Sequence, residues 1–429
     1  MTAIQTPQSL DTIFLDQPPS CLEFCPEAPD YFVIGTYLLS ESSSNDSSGP
    51  QQTKTGSIQL FILDPESYQL TQIHKTPLPQ AVFDLHFSPR DPTLLAIATS
   101  AASVSLYRLE TCSSASTPTG LTHQTTIPVH EDPSIPALFL SWLPPPPGSH
   151  DIEHAKPCTD IDGFAVSFSD GQVSIFHTNP PSHSFSKESL TEIALPGEPI
   201  EVWYTAFHLR QNGSLAGKGY PMLFSGDDFG SLRVHEFAGD GDDEDQGEGE
   251  SPQSPAQTRA VSDRGRNHGA GVTAILPLFT SDSWETILLT GSYDEYLRVY
   301  GYAGRGQVLA EERLGGGVWR LKVIDEEGPD VKTGQRSYLV LASCMHAGTR
   351  IVKVTYSAAG EGEGKWEIEV LAQFTEHESM NYASDVRKGR GGGEVDGGPS
   401  RQNEEDSFPL LCVSSSFYDK RVCVWKVKV

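Results

Sequence analysis

TGSYDEYLRVY, residues 290–300, is answered near the C-terminus by SSFYDKRVCVW, residues 415–425. Each sets small residues, a Tyr-Asp pair and an alternating strand in the same order. The Asp returns elsewhere. Asp170, Asp294 and Asp419 each precede apolar residues at +3 and +5: Val173 and Ile175, Leu297 and Val299, Val422 and Val424. At Asp228, in DFGSLRV, the register is one residue longer. An Asp at a hairpin corner accepts backbone N–H bonds and holds a tight turn. A catalytic residue is needed once, whereas a residue that recurs from unit to unit belongs to the scaffold.

Outward from these corners, the chain reads as short, alternating strands rich in β-branched and aromatic residues, with almost no 3.6 period. The most compact unit is AVFDLHFSPRDPTLLAIATSAASVSLYRL, residues 81–109, where VFDLHFS, LLAIATS and VSLYRL follow one another. Comparable units lie at 136–177, 201–237, 272–302 and 318–356. Residues 21–64 and the stretch from Glu376 to Val429 supply a first and a last unit. Seven units at a spacing of roughly 40 residues predict an all-β, seven-bladed propeller. SLDTIFLD (9–16) is one strand too many for the first unit, so it is expected to complete the last blade and close the ring.

Four polar stretches interrupt the strands: 40–56, 111–126, 239–271 and 387–407. They are too polar to offset the entropy of ordering, and flexible insertions in a single propeller domain spanning 1–429 are expected. The acidic run GDGDDEDQGEGE belongs to the third and sits between strand signals, so a solvated insertion is expected there.

A net charge of −27 and a pI near 4.7 argue against a general nucleic-acid binder and against docking on an anionic membrane. No run approaches the roughly 18 apolar residues of a membrane span. The N-terminal residues lack a basic segment followed by an apolar one, so no secretory signal is expected. Seven cysteines without a CxxC pair point to a reducing compartment, and the cytoplasm is the expected location. No metal site or cofactor is expected.

Further motifs carry a family resemblance. GSYDE (291–295), GGGVWRLK (315–322), SCMHAG (343–348), HESMNYASD (377–385) and SSFYDKRVCVWK (415–426) follow in that order, with LEFCP and FVIGTYLL early in the chain. Together they resemble the diphthine methyl ester hydrolase family, the WD-repeat proteins of diphthamide biosynthesis. Only Val424-Trp425 approaches the dipeptide that names these repeats, and after Asp385 the chain runs into RKGRGGGE where the family is more aromatic. The resemblance implies hydrolysis of the methyl ester on methylated diphthine, the modified histidine of translation elongation factor 2. Elongation factor 2 and other proteins of the pathway are the implied partners. Most propellers of this repeat type are platforms for protein partners, and a non-catalytic scaffold is the alternative reading.

An ester hydrolase needs an activated water or nucleophile, a base and oxyanion donors. G-x-S-x-G and HExxH are both absent. His346 stands where other units carry the corner Asp, either as a turn residue or as a base. His377, Tyr382 and Asp385 lie in a polar, aromatic segment that departs from the repeat. The expectation is that His346 and His377 share one mouth of the channel, with Asp385 or Asp294 orienting the base. Ser379–His377 and Cys344–His346 dyads remain open. The N–H groups of Gly315–Gly317 are candidate oxyanion donors, or else mark a bent inner strand. Arg320 is a candidate for a carboxyl group. Trp319, Tyr382 and Tyr418 are candidates for a quaternary ammonium held by cation–π attraction.

Overall fold

The computed structural model describes residues 3–42, 51–112, 117–145, 162–178, 185–195, 197–211, 219–237, 257–280, 285–303, 305–330, 333–358, 364–388 and 409–429. Short apolar strands separated by tight corners pair with their sequence neighbours, so each unit becomes one sheet. Blade 1 is built from Pro19–Cys25, Ala28–Thr36, Gln51–Leu63 and Leu70–Leu78, with Leu38–Ser42 paired to the start of the third strand. Blade 2 uses Val82–Phe87, Leu94–Thr99, Ser103–Cys112 and Thr117–Pro128. Blade 3 uses Ala137–Trp142, Gly163–Phe168, Val173–Thr178 and Leu190–Leu195. Blade 4 uses Val202–Gln211, Gly219–Asp227, Leu232–Phe237 and Gln257–Ser262. Blade 5 uses Val272–Thr280, Thr286–Ser292, Tyr296–Tyr302 and Gln307–Arg313. Blade 6 uses Arg320–Glu327, Arg336–Ser343, Thr349–Ser357 and Lys365–Phe374. Blade 7 has Asn381–Val386, Pro409–Ser416 and Arg421–Lys428, and its fourth strand is Ser9–Phe14. The fold is the seven-bladed, all-β propeller arrangement expected.

The chain divides into two compact units. One comprises Met1–Val82, Arg108–Thr122 and Leu314–Val429 and holds blades 6, 7 and 1. The other comprises Phe83–Tyr107 and His123–Arg313 and holds blades 3, 4 and 5.

Burial follows position within a blade. The second strands Leu94–Thr99, Gly163–Phe168 and Thr286–Ser292 are buried throughout, and they read as apolar runs broken only by Gly, Ser and Thr. Fourth strands such as Leu70–Leu78 and Gln307–Arg313 are half-exposed and polar. In the first unit, Leu22, Phe24, Phe32, Phe61, Val413 and Val424 fill the seam between blades 7 and 1. Leu341, Ile351, Phe374, Cys412 and Trp425 fill the seam between blades 6 and 7.

The N-terminal strand pairs antiparallel with the last one, Thr12 opposite Cys423 and Ile13 opposite Val422, after a bulge between Ser9 and Asp11. Gln5 exchanges backbone bonds with blade 6 (its N–H to Leu371 C=O, its C=O from Gln373 N–H, each 2.9 Å), and Asp11 accepts the Leu70 N–H of blade 1 at 2.8 Å.

Several polar stretches are more ordered than expected. Leu38–Ser42 and Gln51–Thr55 form a hairpin extension of blade 1, and Thr117–Pro128 is the outer strand of blade 2. An outer strand needs only one face apolar, and Pro118, Gly120, Leu121 and Ile127 supply that face while the rest stays polar. Gln257–Ser262, inside the third stretch, is the fourth strand of blade 4. Residues 43–50, 113–116, the acidic run and 389–408 lie outside the described residues.

Candidate functional site

Five corners share one closure, in which the N–H of the fourth residue bonds the C=O of the first. They are Phe168–Gly171, Asp227–Gly230, Ser292–Glu295, Cys344–Ala347 and Phe417–Lys420. Asp170, Asp294 and Asp419 occupy the third position. Asp170 accepts the Gln172 N–H at 3.1 Å, and Asp294 the Tyr296 N–H at 3.1 Å. Blade 4 is corrected by one residue: Asp227 caps the corner through Phe229 and Ser231 N–H, at 3.0 and 2.9 Å. Asp228 instead accepts the Trp203 indole N–H at 2.7 Å. Asp228 is the second residue of its corner and Phe229 the third, which accounts for the longer register read in the sequence.

His377 does not face an open mouth. It is 9% exposed, its Nε2 lies 2.8 Å from Ser414 Oγ, and the Trp425 indole N–H reaches the same oxygen at 3.0 Å. Blade 5 repeats the arrangement: His268 Nε2 lies 2.8 Å from Thr290 Oγ1, and the His268 ring stacks on Tyr300, which replaces the tryptophan. In both blades the residue after the histidine donates its N–H to the corner Asp, Glu378 to Asp419 at 3.2 Å and Gly269 to Asp294 at 2.7 Å. A device built twice is a blade strut. Burial pushes His377 down to about 4, so the ring is neutral at pH 7 and a weak base.

Asp294 serves its corner, with Arg298 paired to it at 2.8 Å. The Ser379–His377 dyad does not form, because Ser379 Oγ donates to Asp419 at 2.7 Å. Cys344 is fully buried, its thiol directed to Ala342 C=O at 3.6 Å, and burial pushes it up to about 12. A thiol so placed is no nucleophile at neutral pH.

Asp385 is 1% exposed and accepts three donors: the Phe24 N–H at 2.8 Å, the Val386 N–H at 2.7 Å and the Lys322 ammonium at 2.6 Å. It joins blades 6, 7 and 1 and orients no histidine. Although burial pulls against it, Asp385 and then Glu23 hold the Lys322 ammonium above its ordinary range. Asp385→Ala strands a buried amide and a lysine, and is expected to lower the unfolding free energy by about 3 kcal/mol. Denaturant titration checks this, and a loss below about 1 kcal/mol would make the carboxylate dispensable.

The remaining candidates gather at one end of blades 6 and 7. Trp319 donates its N–H to Ser343 C=O at 2.8 Å, Asn381 donates to Met345 C=O at 3.0 Å, and Phe417 donates to Met380 C=O at 2.9 Å. These bonds bring the start of each first strand against the corner of its own or the preceding blade. The Trp319 and Tyr382 ring centroids lie 5.1 Å apart, Tyr382 and Phe417 5.4 Å, Phe417 and Tyr418 5.1 Å, and Tyr37 of blade 1 lies 6.1 Å from Phe417. Tyr418 is 68% exposed. The Arg320 guanidinium covers the Trp319 ring at 4.5 Å and donates to the Trp319 C=O at 2.9 Å. His346 is exposed on the adjoining corner. The close approach allowed by Gly316 is to that corner: a Cβ there would lie 2.3 Å from Cys344 C=O. Tyr37 and Phe417 were not foreseen. Phe417 sits beside the quoted Tyr-Asp pair, but nothing local in the sequence pairs Tyr37 with it.

Fold and corners define the class: a propeller of WD-type blades in which blade 6 carries His346 where the corner Asp would stand. No family model matches the chain. It is 26% identical over 420 residues to the diphthine methyltransferase of Schizosaccharomyces pombe, covering 98% of this chain and 97% of that protein. It is 23% identical over 433 residues to the diphthine methyltransferase homolog of Dictyostelium discoideum, covering 97% and 98%. The diphthine methyltransferase of Mus musculus is 26% identical over 378 residues, with 85% of this chain and 66% of that protein covered. A chain from the crystal structure of a mitotic checkpoint complex matches with a TM-score of 0.48 and 12% identity, covering 100% of this chain and 97% of that one; so low a score carries no functional argument. The resemblance read from the motifs therefore holds along nearly the whole chain, to relatives whose name speaks of methyl transfer.

Proposed function

We propose that the protein acts in diphthamide biosynthesis as a hydrolase, removing the methyl ester from methylated diphthine on elongation factor 2 in the cytoplasm. The observation that supports this most is the aromatic row of Trp319, Tyr382, Phe417 and Tyr418, with Arg320 over Trp319 and the adjoining corner carrying exposed His346. The substrate carries a quaternary ammonium near an esterified carboxyl group. An aromatic row attracts the cation, at about 0.5–2 kcal/mol per well-placed ring. Arg320 supplies a donor for the carboxyl oxygens. His346 takes a proton from the attacking water as the carbonyl becomes tetrahedral, then returns it to the departing methoxide. The products are a carboxylate and methanol.

The test is incubation with elongation factor 2 bearing the methylated residue. Loss of one methylene in mass, with methanol released and no methyl donor added, is the expected result. Transfer to an acceptor other than water would release no methanol. Unchanged mass with retained binding would favour the non-catalytic platform. His346→Ala is expected to lower turnover roughly a hundredfold with the melting temperature nearly unchanged. Turnover at the parent rate would remove His346 from the mechanism.

A further inference from the structure

The blade 6 corner differs from its counterparts in backbone hand. In blades 3, 4, 5 and 7 the fourth corner residue takes the left-handed conformation: Gly171, Gly230, Glu295 and Lys420, with φ of 94°, 81°, 74° and 57°. Blade 6 instead carries it at the second position, Met345, with φ of 42°, and again beyond the corner at Gly348, with φ of 81°. Glycine ordinarily takes such a position, and a longer side chain there is strained. A second difference, from blades 4, 5 and 7, concerns the third-position amide; in blade 3 the Asp170 N–H is likewise uncapped among the described residues. In blades 4, 5 and 7 it is capped by a side chain: Phe229 N–H by Asp227 at 3.0 Å, Asp294 N–H by Ser292 at 3.2 Å and Asp419 N–H by Ser379 at 3.4 Å. Among the described residues the His346 N–H has no such partner.

We propose that Met345 is a positioning residue whose left-handed backbone presents the His346 N–H as an oxyanion donor. This rests on the hydrolytic reading above. Water adds to the ester carbonyl carbon and the C=O π pair moves onto oxygen, where the His346 N–H receives it. The water proton passes to the His346 ring. Collapse expels methoxide, which takes that proton and leaves as methanol, and the new carboxylic acid releases its own proton to solvent. A corner of the ordinary hand with an Asp in third place would offer no imidazole to take the proton.

The experiment compares Met345→Gly, Met345→Asn, Met345→Ala and Met345→Val in the full-length protein, with melting temperature, KM and kcat measured for each on methylated elongation factor 2. Gly and Asn tolerate the left-handed region, whereas Ala and especially Val do not. The expected result is parent kcat for Gly and Asn and a tenfold or greater loss for Ala and Val, with KM unchanged throughout. An order that follows side-chain size, or a loss that appears in KM, overturns the proposal. Should the Val variant fail to fold, the Asn–Ala pair carries the same contrast. If the parent releases no methanol, the hydrolytic reading falls, and this assignment with it; if the parent is active and Ala and Val match it, only this assignment falls.

Discussion

Removing residues 1–17 is expected to lower the melting temperature by about 10 °C or more. The segment supplies the fourth strand of blade 7, pairing Asp11–Phe14 with Arg421–Val424. It also carries Leu15, buried in the seam between blades 7 and 1. Gln17 accepts hydrogen bonds from Thr36 and Ser57, both fully buried, at 2.8 and 3.0 Å. Burying a leucine contributes about 2 kcal/mol and each net hydrogen bond about 1 kcal/mol. Leu15 and the two Gln17 bonds alone sum to roughly 4 kcal/mol, before the strand pairing is added, and they fall on the unit that holds blades 6, 7 and 1. Deletion would further expose a long apolar edge along Arg421–Lys428 and invite aggregation. Calorimetry of the truncated chain checks this, and an unaltered transition would mean that the N-terminal strand adds nothing to the blade.

The second large effect is acid sensitivity. His235, His268 and His377 are each pushed down to about 4, burial being the first cause in every case. The unfolded chain binds protons on these rings near pH 6.5, whereas the folded chain binds them near pH 4. Between those limits the unfolded state holds more protons, so stability falls as pH falls. Each histidine contributes up to about 1.4 kcal/mol per pH unit across the window, and three together about 4. Asp16, Asp294 and Asp419 are held below their ordinary range, and their stabilisation is lost only as the pH falls further, below about 4. Denaturant titrations between pH 7 and pH 4.5 test the slope, and His268→Gln and His377→Gln should each flatten it. An unchanged slope in both variants would show that the struts are not the acid-labile groups.

Short-range signals carried the fold. Alternation within six residues, a corner Asp and the order of the units were enough for seven blades and for the displaced N-terminal strand. Thr117–Pro128 was misread because outer strands resemble loops in composition. The candidate site stood out in the sequence where it broke the repeat. SCMHAG put a histidine in a corner, and the Trp319, Tyr382 and Tyr418 stretches do meet. HESMNYASD broke the pattern too, but for structural reasons, since His377 and Asp385 fasten blades from within.

What the sequence determined by itself is everything with a local cause: the strand period, the tight corners and the departure of blade 6 from its own repeat. Partnerships across the chain were decided only by the tertiary structure. His377 is 37 residues from Ser414, Asp385 is 361 from Phe24, and a propeller brings such groups together by packing sheets face to face. A histidine reads the same in a one-letter code whether it is a neutral strut or an exposed base. Burial and a hydrogen-bond partner separate the two, and both are properties of the packed blade.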